Sequence, residues 1–200
     1  QFGMIGTLNP VWYVAAHPRG YYADSAYTGK SEVLAAEAVD AAIAAGVNFS
    51  QYDNNGDGTV DGLFVVFAGP GSATMGTKYP GTQQVAIAPK SAGSVQVSPL
   101  VVVSEVFYTA DGTYPAEPER MGTWAHEYIH SFGLPDLYTD PFQGSELVDV
   151  YCLMSYGLYL GPCHYRGQAC YVYGDCPSHL CAWSKVQLGW MSVTRVWRDL

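Results

Sequence analysis

"TWAHEYIHSFGLPDLY", residues 123–138, sets His126, Glu127 and His130 close together and follows them with Gly133 and Asp136. An α-helix advances about 100° per residue, so side chains four apart return to one face. His126 and His130 can therefore reach one metal ion, while Glu127 leans toward the same ion as a base rather than a ligand. Gly133, lacking Cβ, permits the left-handed turn that ends a helix and sends the chain back beneath the metal. Asp136, after Leu134 and Pro135, is then placed to offer a carboxylate oxygen as third ligand. Zinc with three protein ligands and one open position brings bound water to a pKa of about 7. The spacing thus predicts hydrolysis at zinc, with Glu127 moving the proton. On average residue usage these five fixed positions recur by chance on the order of once in ten thousand chains of this length. A surface helix with incidental His and Glu is therefore a poor account of them.

Outward from this helix, the pattern is of an α/β or α+β chain. "SEVLAAEAVDAAIAAG" from Ser31 has helical apolar spacing, with Ser31 as a plausible N-cap and Gly46 as the stop. "GLFVVFAG" is an apolar run of strand length between glycines and suits a buried strand. Weaker strand signals lie at "VWYV" near the start, at Val85 to Ala88 and at Leu100 to Phe107. The histidine helix is expected from about Arg120 to Phe132, and a last helix from Pro177 to Leu188 before Gly189. A single domain over residues 1–200 follows, with a lobe of about 1–133 above the histidine helix and one of about 134–200 below it.

Two hundred residues with 48% hydrophobic content can bury a real core. The formal net charge of -9 and the lack of any Lys/Arg cluster argue against nucleic acid or an anionic membrane as partner. No apolar run approaches the roughly 20 residues of a transmembrane helix. "QFGMIGTLNP" has neither a basic n-region nor an apolar h-region, and a start at Gln1 reads as a processed product. Cys152, Cys163, Cys170, Cys176 and Cys181 all fall in the last quarter, among Gly, Pro and Tyr. Disulfides stapling a long loop in an oxidising compartment are the expectation, with one cysteine left odd. A zinc cluster using His164 or His179 is the rival, but no C-x-x-C knuckle is present.

"DNNGDGTVD", residues 53–61, spaces Asp53, Asn55, Asp57, Thr59 and Asp61 two apart, with Gly58 at the sixth position. These are the first nine positions of an EF-hand-type loop, but position twelve is Phe64 rather than Glu. A single structural calcium site, completed from elsewhere in the chain, is expected; a polar turn is the alternative.

Eighteen residues past Asp136 comes Met154, in "YCLMSYG". Met154 suits a tight turn beneath the metal, and Tyr156 could hydrogen-bond the oxyanion of a tetrahedral intermediate. With "FSQYDNNGDGTVDGLFVVFAG", "WAHEYIHSFGLPDLY", "CLMSYG" and "PSHLCAWSKVQLGW" in this order, the chain resembles the immune inhibitor A-type secreted metallopeptidases, relatives of the metzincins. The resemblance implies a metzincin-like fold: a twisted mixed sheet with an active-site helix, and a loop-rich C-terminal lobe with one helix. It also implies an extracellular zinc endopeptidase made as a precursor, acting on proteins or peptides, and a monomer is expected. His126, His130 and Asp136 would be its ligands, Glu127 its base and Met154 its turn methionine. Cys152 stands where the family pattern leads one to expect an aromatic, and the cysteine-rich insertion after it looks peculiar to this chain.

Other residues are less informative. His17, His164 and His179 suit structural or surface roles, Trp183 and Trp190 read as core anchors, and Glu105 suits a strand end near a cleft. The rival to an enzyme is a catalytically silent binding module stabilised by zinc and calcium, in which Glu127 would have no task.

Overall fold

The computed structural model describes residues 6–23, 30–72, 79–107, 117–138, 148–160, 162–165, 168–171 and 174–194. The molecule is a mixed α/β protein with few helices. The α-helices that lie wholly among the described residues are, in chain order, α1 (Ser31–Ala44), α2 (Met121–His130) and α3 (Ala182–Gln187). The strands are β1 (Phe64–Pro70), β2 (Gln83–Val85), β3 (Lys90–Ala92), β4 (Val95–Val97), β5 (Leu100–Phe107), β6 (Glu117–Pro118), β7 (Pro162–Tyr165) and β8 (Gln168–Tyr171).

β5 is the axis of the main sheet. It pairs in parallel with β1 and antiparallel with β2 and β6, so the sheet is mixed. Val101, Val102 and Val103 are consecutive and all 0% exposed, which requires cover on both faces. Leu100 and Val102 pack with Leu34, Ala35 and Val39 of α1 on one face. Val101 is in register with Phe64, whose ring stacks on Trp124 of α2 at 5.2 Å on the other. Each such buried aliphatic side chain contributes roughly 1.5–3 kcal/mol of transfer free energy. "GLFVVFAG", expected to be the buried strand, is instead the half-buried β1 at a sheet edge. The weaker signal at Leu100 to Phe107 is the centre.

Other boundaries also moved, each for a local reason. "VWYV" forms no strand: Val11, Trp12 and Val14 are exposed, and no ladder partner lies among the described residues. Of the strand expected at Val85 to Ala88 only Val85 is in a strand, as the last residue of β2. Ser31 does not cap α1; it is the first helical residue, and its hydroxyl donates to the Gly81 carbonyl at 3.0 Å. Gly46 does end α1, with φ 80° and Val47 N–H reaching Ala42 O at 3.0 Å. The last helix begins only at Ala182, because the backbone before it bonds elsewhere: Ser178 N–H to Gly157 O, and His179 O to Leu153 N–H. Trp183 and Trp190 are each nearly half exposed rather than core anchors. Glu105 is exposed and accepts from Gly69 N–H at 3.2 Å.

A second buried cluster joins Ile129 of α2 to Leu134, Cys152, Leu153, Met154, Leu158 and Leu180. The cysteine-rich segment, expected as loop, contains the β7–β8 ribbon, whose register sets Cys163 opposite Cys170. Among the described residues Cys152, Cys176 and Cys181 are not joined by a disulfide in this structure.

α2 is seated on this second cluster by close backbone approach. A Cβ on Gly122 would lie 1.9 Å from the Leu158 carbonyl oxygen, so no other residue fits without moving the helix. Gly122→Ala should therefore cost about 3 kcal/mol through overpacking and lower the melting temperature by roughly 6–12 °C. Thermal unfolding followed by circular dichroism checks this; an unchanged melting temperature would show that the contact is slack.

Candidate metal centre

α2 and the chain just after it bring together the three residues expected as ligands. His126 Nε2 lies 3.0 Å from Asp136 Oδ1, His130 Nε2 lies 3.3 Å from the same oxygen, and the two Nε2 atoms are 3.2 Å apart. Four-coordinate zinc, with bonds of about 2.0–2.1 Å, separates its ligand atoms by roughly 3.3 Å in a tetrahedron. The triangle fits that geometry.

The tautomers say the same. His126 Nδ1 is 2.8 Å from Leu153 O, and His130 Nδ1 is 2.7 Å from Leu134 O. A carbonyl can only accept, so each Nδ1 carries the proton and each neutral ring turns a bare Nε2 lone pair toward the Asp136 carboxylate. Two lone pairs and an anion facing one another repel unless a cation lies among them. A proton partly serves as that cation: burial opposes the charged form of His130, but Asp136 and the Leu134 carbonyl outweigh it and raise its pKa. Burial likewise opposes ionisation of Asp136, yet hydrogen bonds and positive charge from His126 and His130, when an Nε2 proton is present, hold its carboxyl well below the usual range.

The local sequence explains the placement. Gly133 has φ 83°, and its N–H closes on His130 O at 2.9 Å. The reversal puts Leu134 O under His130 and carries Asp136 back to the rings. Leu137 N–H then bonds Met154 O at 2.6 Å, tying the ligand loop to the turn that holds Met154, which is 0% exposed. Leu153, beside Met154, supplies the carbonyl that orients His126. His126 is buried, His130 partly so, and Asp136 is the most exposed of the three.

Glu127 follows His126 and points to the sheet, where its Oε2 accepts from Gln84 N–H of β2 at 2.8 Å. Burial raises its pKa, against the opposing pull of His126 and the Gln84 amide. Tyr156 stacks on Tyr138 at 5.8 Å, and Tyr138 stacks on His126 at 6.1 Å, so Tyr156 stands one ring removed from His126. Sequence reasoning missed Tyr138. Its hydroxyl is pushed up by burial and by the charge and hydrogen bond of Asp136, and its only signal was lying two residues past that ligand. Tyr159, likewise missed, is raised by burial and then by the Glu127 charge.

The aspartate loop is organised differently. Asp53 accepts from the N–H groups of Gly56, Asp57 and Gly58 at 2.8–3.1 Å. Asp57 accepts from Thr59 N–H, Asn55 Oδ1 from Asp57 N–H, and Asp61 from Asn54. The oxygens expected to wrap calcium thus hold the turn. Among the described residues the one His/Cys/Asp/Glu group close enough to hold a metal is His126, His130 and Asp136.

Over residues 5–191 the chain matches the family described as immune inhibitor A peptidase M6, catalytic domain. The chain belongs to the M6 peptidase family. It is also similar to Immune inhibitor A of Bacillus thuringiensis subsp. alesti, at 31% identity over 148 residues, covering 64% of this chain. The match takes in 21% of that protein, so the chain spans about a fifth of its relative's length. The M6 match includes α2, the ligand loop and Met154 within one continuous region.

Asp136→Asn keeps the shape of the expected third ligand but removes the negative charge that would offset a bound cation. Loss of an outer partner of a metal ligand already costs about 10–100-fold in affinity, so loss of the charged ligand should weaken zinc binding by at least about 100-fold. Competition with a chromophoric chelator measures it; equal affinities would remove Asp136 from the ligand set.

Proposed function

We propose that this chain is the catalytic domain of a secreted zinc endopeptidase that hydrolyses proteins or peptides. The observation that carries the reading is the meeting of His126 Nε2, His130 Nε2 and Asp136 Oδ1 within 3.0–3.3 Å, with both Nδ1 atoms already committed to carbonyls. His126, His130 and Asp136 would hold zinc, which when bound polarises a carbonyl and acidifies water. Membership of the M6 family supports a peptidase of the metallopeptidase class.

The chain's own residues supply the rest. Glu127 takes the proton of the attacking water on its carboxylate and delivers it to the leaving amine. The Gln84 amide fixes Oε2, which limits the orientations this carboxylate can take. Its raised proton affinity suits a group that must receive a proton and give it up in one cycle. β2 lies at a sheet edge next to Glu127, so an extended peptide could lie along it as an added strand, held by main-chain hydrogen bonds. Tyr156 is assigned the donation of a hydrogen bond to the developing oxyanion. The domain is read as acting as a monomer, exported as a precursor; no helix among the described residues is long and apolar enough to cross a membrane.

A silent structural module is not favoured. Closed structural zinc sites use four protein ligands, and three donors converge among the described residues.

Glu127→Gln retains size and the contact to Gln84 but cannot accept the proton. With zinc content matched to the parent, casein hydrolysis should fall by about 10²–10⁴-fold. Undiminished hydrolysis by the variant would sink the assignment of Glu127 as base.

A further inference from the structure

Cys152 and Cys181 come from opposite ends of the cysteine-rich segment, yet the fold lays their stretches side by side. Leu153 N–H bonds His179 O at 3.2 Å, Ser178 N–H bonds Gly157 O at 2.8 Å, and Cys181 N–H donates to Cys152 Sγ at 3.2 Å. The hydroxyl of the fully buried Ser184 touches both sulfurs, at 3.7 Å from Cys152 and 3.3 Å from Cys181. Cys152 is 0% exposed, whereas Cys181 reaches solvent in part. We propose that Cys152 and Cys181 form a disulfide that staples the turn beneath the metal ligands to the start of α3.

The asymmetry of exposure sets the order of the chemistry. Cys181 thiolate attacks a low-molecular-weight disulfide, forming a mixed disulfide and releasing one small thiol. Cys152, which no outside reagent can reach, then loses its proton and attacks Cys181 Sγ, releasing the second small thiol. Two protein thiols are oxidised and one small disulfide is reduced to two thiols. Burial opposes ionisation of Cys181, but hydrogen bonds from Ser184 and Cys152 outweigh it and lower its pKa, which suits the attacking role. Cys176 is exposed and takes no part in the proposed pairing.

The cross-link would act one residue from Leu153 O, the carbonyl that orients His126. Bridging residues this far apart in sequence restricts the unfolded chain, so its loss should be read in stability.

The test equilibrates the reduced native chain with glutathione disulfide, quenches it in acid, alkylates it with N-ethylmaleimide and maps non-reduced peptides by mass spectrometry. A peptide linking Cys152 to Cys181 is expected. Alkylated Cys152, a persistent glutathione adduct on Cys181, or Cys181 joined to another cysteine would overturn the pairing. Cys181→Ala, at a partly exposed position, should melt about 6–12 °C below the oxidised parent. Equal melting temperatures would overturn the stapling role. Neither readout depends on zinc or on peptide hydrolysis.

Discussion

Three electron-pair donors held within 3.3 Å of one another, with no proton between them in the neutral state, are the constraint on which the rest depends. Such a cluster is unfavourable in isolation and persists because two backbone carbonyls decide which nitrogen of each histidine is protonated. Leu134 O stands under His130 because Gly133 turns the chain through positive φ. Leu153 O stands under His126 because its own N–H is anchored to His179 O and the neighbouring Met154 O is anchored to Leu137 N–H. The apolar cluster of Ile129, Leu134, Cys152, Leu153, Met154 and Leu180 thus supports the site by fixing carbonyls as well as by excluding water.

The sheet contributes through one contact. Gln84 N–H, on the outer edge of β2, meets Glu127 rather than another strand. Burial of Glu127 drives its pKa up, while the amide and His126 draw it down. A carboxylate buried without those donors would simply be neutral, and one with many more would never accept a proton. The position of β2 is in turn set by β5, whose consecutive buried valines demand α1 on one face and α2 on the other. The distance from core strand to Glu127 is therefore one hydrogen-bonded strand.

What was legible in the sequence follows from how local each feature is. The candidate ligand set needs only helical periodicity and one glycine turn, all within residues 126–136, and His126, His130 and Asp136 do converge. The helix stops at Gly46 and Gly189 are equally local, and both glycines have positive φ. Rank within the sheet is not local: "LFVVF" and "LVVVS" look alike until pairing makes one an edge and the other the centre. "PSHL" resembles a helix start, but its backbone bonds belong to the turn around Met154, a partner more than twenty residues away. Tyr138 was hidden for a related reason, since its role depends on which rings the returning chain stacks it between.

The two acidic motifs differ in what their oxygens face. Asp53, Asp57 and Asp61 repeat at the intervals of a cation loop, but their oxygens meet amide N–H groups of the same loop, and the turn is held by those bonds. Asp136 has neighbours of the opposite kind. Its oxygen faces two imidazole nitrogens whose protons are engaged elsewhere, so donors and acceptors balance only when positive charge is supplied from outside. Acceptors that face acceptors call for a cation. By that criterion the attraction for a metal lies in the placement of two carbonyls on the far side of the rings, before any ligand bond is formed.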